Sequence, residues 1–157
     1  MTLGFALALL GAGLAVGLAG IGSSIGIGYA GQASTGAMTE DPENFGRYLI
    51  LTALPGTQGI YGFIAAFLLI IKINLLTGTL PSLTVAQGLN LLFAALPIAV
   101  LGFISAIHQG KVCASGVGLT VKRPADSMKA MVLAVFVEFY AVLGLLITIF
   151  LINGIQI

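Results

Sequence analysis

Glu138 is a carboxylate where carboxylates are costly. It lies in the run Met131-Val-Leu-Ala-Val-Phe-Val-Glu-Phe-Tyr-Ala-Val-Leu-Gly144, and no other charge occurs between Lys129 and the C-terminus. In a membrane-spanning helix such an acid costs about 2.5–3.5 kcal/mol on insertion scales, and acids kept there usually mark an ion or proton path. Glu138 is 14 residues after Pro124 and Gln109 is 15 before it, while Thr57 and Gln58 are 15 and 16 residues after Pro42. At about 1.5 Å of helical rise per residue, all four side chains lie about 21–24 Å from their prolines and share one layer. Tyr61, one turn beyond Thr57, is placed to donate its hydroxyl toward that layer. Taken singly, Thr57 or a glutamine reads as ordinary interhelical glue. Three of them at the depth of a lone carboxylate is a more specific pattern.

Pro55-Gly56 adds to it. Proline lacks an N–H, so the Leu51 carbonyl is expected to lose its helical partner, and broken backbone at membrane depth often supplies carbonyl ligands to an ion. Oxygens from Glu138, Thr57, Gln58 and Gln109, with one backbone carbonyl, form an all-oxygen shell suited to a small hard cation. A proton needs only the carboxylate. The surplus of neutral oxygens therefore points to Na⁺, with H⁺ as the alternative.

The elements that position these residues follow from composition. Of 157 residues, 59% are hydrophobic and 7% charged, against about 25% charged in ordinary soluble domains. This predicts an all-α integral membrane protein. Apolar stretches near 3–37, 46–76, 83–119 and 128–155 are each long enough to span, given about 20 residues per crossing. A β-barrel fits poorly, because the runs are continuous rather than alternating. Short segments at Thr39–Asn44, Thr77–Ser82 and Val121–Asp126 make neighbouring helices antiparallel. No Lys or Arg precedes Arg47, so a cleaved signal peptide is not expected. A net charge of +1 without a basic run excludes nucleic acid as a partner. One cysteine, Cys113, and one histidine, His108, exclude an internal disulfide and a zinc cluster. Arg47, Lys111, Lys122, Arg123 and Lys129 flank the first and third loops. The expectation is a multi-pass cell-membrane protein with those loops cytoplasmic and both termini outside.

Shifting the sequence by 82 residues aligns its halves without a gap: Gly20 meets Gly102, Ser23 meets Ser105, Gly28 meets Gly110, Pro42 meets Pro124 and Gly62 meets Gly144. The chain reads as two tandem duplicated helical hairpins, 1–78 and 79–157. Glu138 falls opposite Gly56 and Gln109 opposite Ile27, so only one intramembrane carboxylate remains per four helices. Ten of the 22 glycines lie within residues 4–36, which predicts a first helix packed closely by protein and lying on the inner side of an oligomer. The glycines of Gly26-Ile-Gly-Tyr-Ala-Gly31 match a dinucleotide fingerprint, but that motif needs a preceding strand, and no nucleotide is expected on this chain.

The runs Leu54-Pro-Gly-Thr-Gln-Gly-Ile-Tyr-Gly62, His108-Gln-Gly-Lys111 and Val137-Glu-Phe-Tyr-Ala-Val-Leu-Gly144, on a duplicated hairpin, resemble the rotor-ring proteolipid of V-type ATPases. The likeness covers nearly the whole chain and is nearest the bacterial sodium-pumping branch, where this proteolipid is called K or c. It implies a ring of identical copies turned by an ATP-hydrolysing head elsewhere in the complex. Each copy would carry one ion and exchange it with half-channels in a stator membrane subunit. By motif, the resemblance implies Na⁺ ligands from Glu138, Gln109, Gln58, Thr57 and the Leu54 carbonyl, with Tyr61 hydrogen-bonding Glu138. It thus uses the carbonyl of Leu54 where the proline argument freed that of Leu51. His108 is expected at an interface or interhelical hydrogen bond, Lys111 to snorkel toward water, and Cys113 to pack as a small residue. Glu40, Asp41 and Glu43 are expected in a solvated loop within reach of central-stalk subunits. The competing readings are a proton-carrying ring subunit, a small proton-coupled multidrug transporter and a passive pore. The duplication, the glycine-packed first helix and the acid in helix four weigh against the transporter.

Overall fold

The computed structural model describes residues 2–78 and 81–157. It is all-helical over these residues, and four segments are long and apolar enough to cross a membrane. The first is α1, Leu3–Met38. The second begins with a tight turn at Pro42–Asn44 and comprises α2, Phe45–Ala53, and α3, Thr57–Lys72, joined by the single 3₁₀ turn Leu54–Gly56. The third and fourth are α4, Val85–Lys122, and α5, Ser127–Gly154. The second span thus ends at Lys72, short of the expected residue 76. Asn74 and Gly78 take left-handed backbone after it, at φ 53° and 74°. The expected boundary between the hairpins abuts Thr79, which lies outside the described residues.

Local chemistry sets the ends. Thr2 caps α1 by accepting from the Phe5 N–H, and Thr84 and Gln87 form a reciprocal capping box at the start of α4, satisfying N–H groups that the first helical turn leaves without partners. Thr2 Oγ1 also donates to the Leu83 carbonyl at 3.0 Å, and Gln87 Nε2 to the Gln156 carbonyl at 3.3 Å. These bonds tie both chain ends and the start of α4 into one end of the bundle. Pro97 lies inside α4, where the Thr148 hydroxyl of α5 accepts from the Ile98 N–H at 3.3 Å.

α1 packs along α4 over most of its length and against α3 on a second side, while α5 packs on α4. Glycine makes the α1–α4 approach feasible: a Cβ added at Gly110 would stand 2.6 Å from the Gly26 carbonyl carbon, and one at Gly22 2.6 Å from Phe103 Cα. Two apolar clusters result. One gathers Phe5, Leu69, Leu91, Ile98 and Ile152 toward the chain ends; the other gathers Tyr48, Leu51, Cys113, Val117 and Ala134 toward the first and third loops. The polar residues of the expected layer occupy the zone between them. Large apolar side chains of α3 and α5, among them Phe63, Phe67, Phe136, Phe139 and Phe150, remain exposed, as lipid-facing residues would.

Candidate functional site

The break in the second span is where the site starts. Pro55 is buried in the Leu54–Gly56 turn, and the Thr57 N–H closes that turn on the Leu54 carbonyl. The Thr57 hydroxyl reaches the same carbonyl at 3.0 Å and lies 3.3 Å from Gln58 Oε1. The turn therefore brings the Leu54 carbonyl, the Thr57 hydroxyl and the Gln58 amide to one spot on the bundle interior.

From Gln58 a hydrogen-bonded chain crosses to α4 and then α5. Gln58 Nε2 donates to Gln109 Oε1 at 2.6 Å, and both amides are completely buried. Gln109 Nε2 in turn donates to the Ala134 carbonyl at 3.1 Å and to Glu138 Oε2 at 3.2 Å. Tyr61, back on α3, donates its hydroxyl to Glu138 Oε1 at 2.6 Å. Both carboxylate oxygens thus accept a bond, one from a phenol and one from an amide. Buried polar groups are stable only when partnered, and this network partners each of them. Hydrogen bonds to a charged acceptor are also stronger than neutral ones.

Glu138, Gln109, Gln58, Thr57, the Leu54 carbonyl and Tyr61 are therefore brought together, in contact as well as in depth. Two contributors escaped the sequence reading. The Ala134 carbonyl, one turn before Glu138, anchors the Gln109 amide. The Ser23 hydroxyl of α1 accepts from the Gly59 N–H at 2.8 Å and buttresses the break in the second span; its place in the repeat opposite Ser105 was the available signal. Away from this network, Cys113 is buried within the loop-side cluster, and His108 is exposed. Lys111 stands 5.7 Å from the Tyr29 ring centroid, a cation–π contact between α4 and α1. The Gly26–Gly31 glycines lie inside α1 with no strand before them among the described residues.

Chemically, the arrangement offers one carboxylate and several neutral oxygens, with no cluster of three His, Cys, Asp or Glu among the described residues. Divalent sites generally gather more carboxylates; a single formal charge among neutral oxygens matches a monovalent ion. Fold and site together define a duplicated-hairpin membrane protein with one carboxylate at the heart of its four spans. The family profile of the ATP synthase C subunit matches residues 10–69 and again 92–151, two segments that keep the 82-residue offset. The chain belongs to that family. It is 45% identical over 125 residues to the V-type sodium ATPase subunit K of Enterococcus hirae, covering 80% of this chain and 76% of the relative. It is 40% identical over 149 residues to the A-type ATP synthase subunit K of Methanocaldococcus jannaschii, covering 95% of this chain and 63% of that longer relative.

Proposed function

We propose that this chain is the ion-carrying rotor-ring subunit of a V/A-type ATPase that moves Na⁺ across the membrane. Identical copies, each made of hairpins 1–78 and 79–157, form the ring, and ATP is hydrolysed in another subunit. Loops one and three face the cytoplasm and the central stalk, both termini face outside, and a stator subunit supplies the half-channels.

The observation that carries this reading is the unbroken chain of bonds from Thr57 through Gln58 and Gln109 to Glu138. The Gln109 N–H and the Tyr61 hydroxyl each donate to one oxygen of the Glu138 carboxylate. Na⁺ would be held beside Glu138 by its carboxylate and the side-chain oxygen of Gln109. Gln58 Oε1, the Thr57 hydroxyl and the Leu54 carbonyl complete the oxygen set, and Tyr61 holds the carboxylate while the site fills. The similarity to a sodium ATPase subunit supports Na⁺ over H⁺, as does the number of neutral oxygens around one acid.

The test uses a hydrophobic carbodiimide, which modifies the protonated carboxyl. Na⁺ should protect Glu138 in the purified protein, and protection should weaken as pH falls and protons compete. Labelling that follows pH but ignores millimolar Na⁺ would assign the site to protons instead.

A further inference from the structure

α3 starts in the middle of the bundle without a cap of its own. The residue before it is Gly56, which has no side chain to accept a bond, and its backbone is already helical at φ −80° and ψ −22°. A helix start leaves its first N–H groups without intrahelical partners. A capping side chain ordinarily accepts from the N–H of the second or third helical residue. Counted from Thr57, the third is Gly59, and its N–H donates to the Ser23 hydroxyl of α1 at 2.8 Å. Ser23 thus does from another helix what a capping serine does from within its own.

Small residues make this possible. A Cβ added at Gly59 would stand 3.2 Å from Ser23 Oγ and 3.3 Å from Ser23 Cβ, and one at Gly56 3.3 Å from Ile27 Cδ1. α1 therefore lies directly against the Leu54–Gly56 turn. Ser23 is buried, and the bilayer core holds no water to take over an abandoned N–H.

The duplication shows what the bond serves. Ser105 repeats Ser23 and Ala141 repeats Gly59, but α5 runs unbroken past this point. Ser105 and Ser23 are equally buried, each 5% exposed, yet the Ser105 hydroxyl has no hydrogen-bond partner among the described residues. The serine is bonded only where the facing helix is broken, and that break presents the proposed ion ligands. We infer that Ser23 is a positioning residue for the ion. By capping α3 it holds the Leu54 carbonyl, the Thr57 hydroxyl and the Gln58 amide in place, and it sets Na⁺ affinity without touching Na⁺. The first helix then has a part in the site beyond close packing.

Thr57 and Gln58 are the first two residues of the capped turn, and the Thr57 N–H and hydroxyl both reach the Leu54 carbonyl. Without the Ser23 oxygen, the Gly59 N–H is satisfied only if this turn shifts, and the ligands shift with it. Apparent affinity falls with the fraction of copies that keep the turn ready for the ion. A lost cap moves such a local equilibrium by about two- to thirtyfold. The bonds that Tyr61 and Gln109 donate to the carboxylate do not pass through Ser23. Proton uptake by Glu138 should therefore be spared.

Because this role presupposes the Na⁺ reading above, the experiment separates the two. Purified rings of the parent, Ser23→Ala and Ser105→Ala are titrated with Na⁺ at one pH, and carbodiimide labelling is followed against pH without Na⁺. Ser23→Ala should raise the Na⁺ dissociation constant about three- to tenfold and keep the parental labelling profile. Ser105→Ala should match the parent in both. A lower thermal midpoint with parental Na⁺ affinity in Ser23→Ala would make the bond merely structural and overturn the positioning role. An equal loss in Ser105→Ala, or a labelling profile displaced in Ser23→Ala, would also overturn it. As a second variant, Gly59→Ala, whose Cβ would crowd Ser23 Oγ, should weaken Na⁺ binding too. Combined with Ser23→Ala, it should cost less than the product of the two effects; a full product would mean that the residues act separately, against the proposal. A parent whose labelling ignores Na⁺ would remove the sodium reading itself, whereas a Na⁺-protected parent with an unaffected Ser23→Ala would remove only the role of Ser23.

Discussion

Gln109→Leu separates ion ligation from helix packing, because leucine retains most of the volume and none of the polarity. Gln109 is completely buried and makes three bonds: it accepts from Gln58 and donates to Ala134 and Glu138. The substitution leaves the Gln58 N–H without its acceptor, strips one donor from the carboxylate, and removes one oxygen from the proposed Na⁺ shell. A buried polar partner lost in this way costs roughly 1–3 kcal/mol. With 1.4 kcal/mol per factor of ten, the Na⁺ dissociation constant should rise about 5- to 150-fold. Thr57→Val, which removes the hydroxyl between the Leu54 carbonyl and the Gln58 amide, should push in the same direction when combined with it. The assay is Na⁺ titration of the purified ring at one fixed pH, parent against variants, with carbodiimide labelling followed against pH alongside. The expected variants bind Na⁺ weakly and label readily in its presence. An unchanged dissociation constant in the double variant would mean that these side chains only hold helices together, and the site would belong to protons.

Glu138→Gln should abolish ATP-driven ion transport while rings still assemble, since glutamine keeps the shape of the one carboxylate in the layer; sustained transport would refute its role. Tyr61→Phe removes the 2.6 Å bond to the carboxylate, worth about 1.5–3 kcal/mol for a charged acceptor, and should speed Na⁺ release measured by isotope washout. Gly26→Leu should fail on packing rather than ion binding, because its Cβ would lie 2.8 Å from Pro55 Cβ and 3.0 Å from the Ala106 carbonyl carbon, and would press on the Ala106 carbonyl oxygen. A loss of about 2 kcal/mol or more is expected, read as a fall in thermal midpoint with Na⁺ present and absent.

Much of this was legible because membrane helices are nearly one-dimensional objects. Apolar length gave the four spans, and a fixed rise per residue turned sequence distance from a loop proline into depth. Glu138, Gln109, Gln58 and Thr57 were thus placed in one layer before any contact was known. Depth says nothing of azimuth, and azimuth decides who bonds whom. That Gln109 anchors on the Ala134 carbonyl, or that Ser23 reaches the Gly59 N–H, depends on how closely α1, α3 and α4 approach. Pro55 is legible in the same local way, as a missing N–H; the backbone resolves the break as a 3₁₀ turn that brings the Leu54 carbonyl to Thr57. The end of α3 is less legible, since Ile73, Leu75 and Leu76 are apolar enough to prolong a helix, yet the left-handed Asn74 stops it after Lys72.

The most direct test of the central claim is the stoichiometry of Na⁺ on the purified ring, by equilibrium dialysis with isotopic sodium. One saturable Na⁺ per chain is expected, displaced by acid and absent from Glu138→Gln. Two ions per chain, none, or one that survives Glu138→Gln would contradict it.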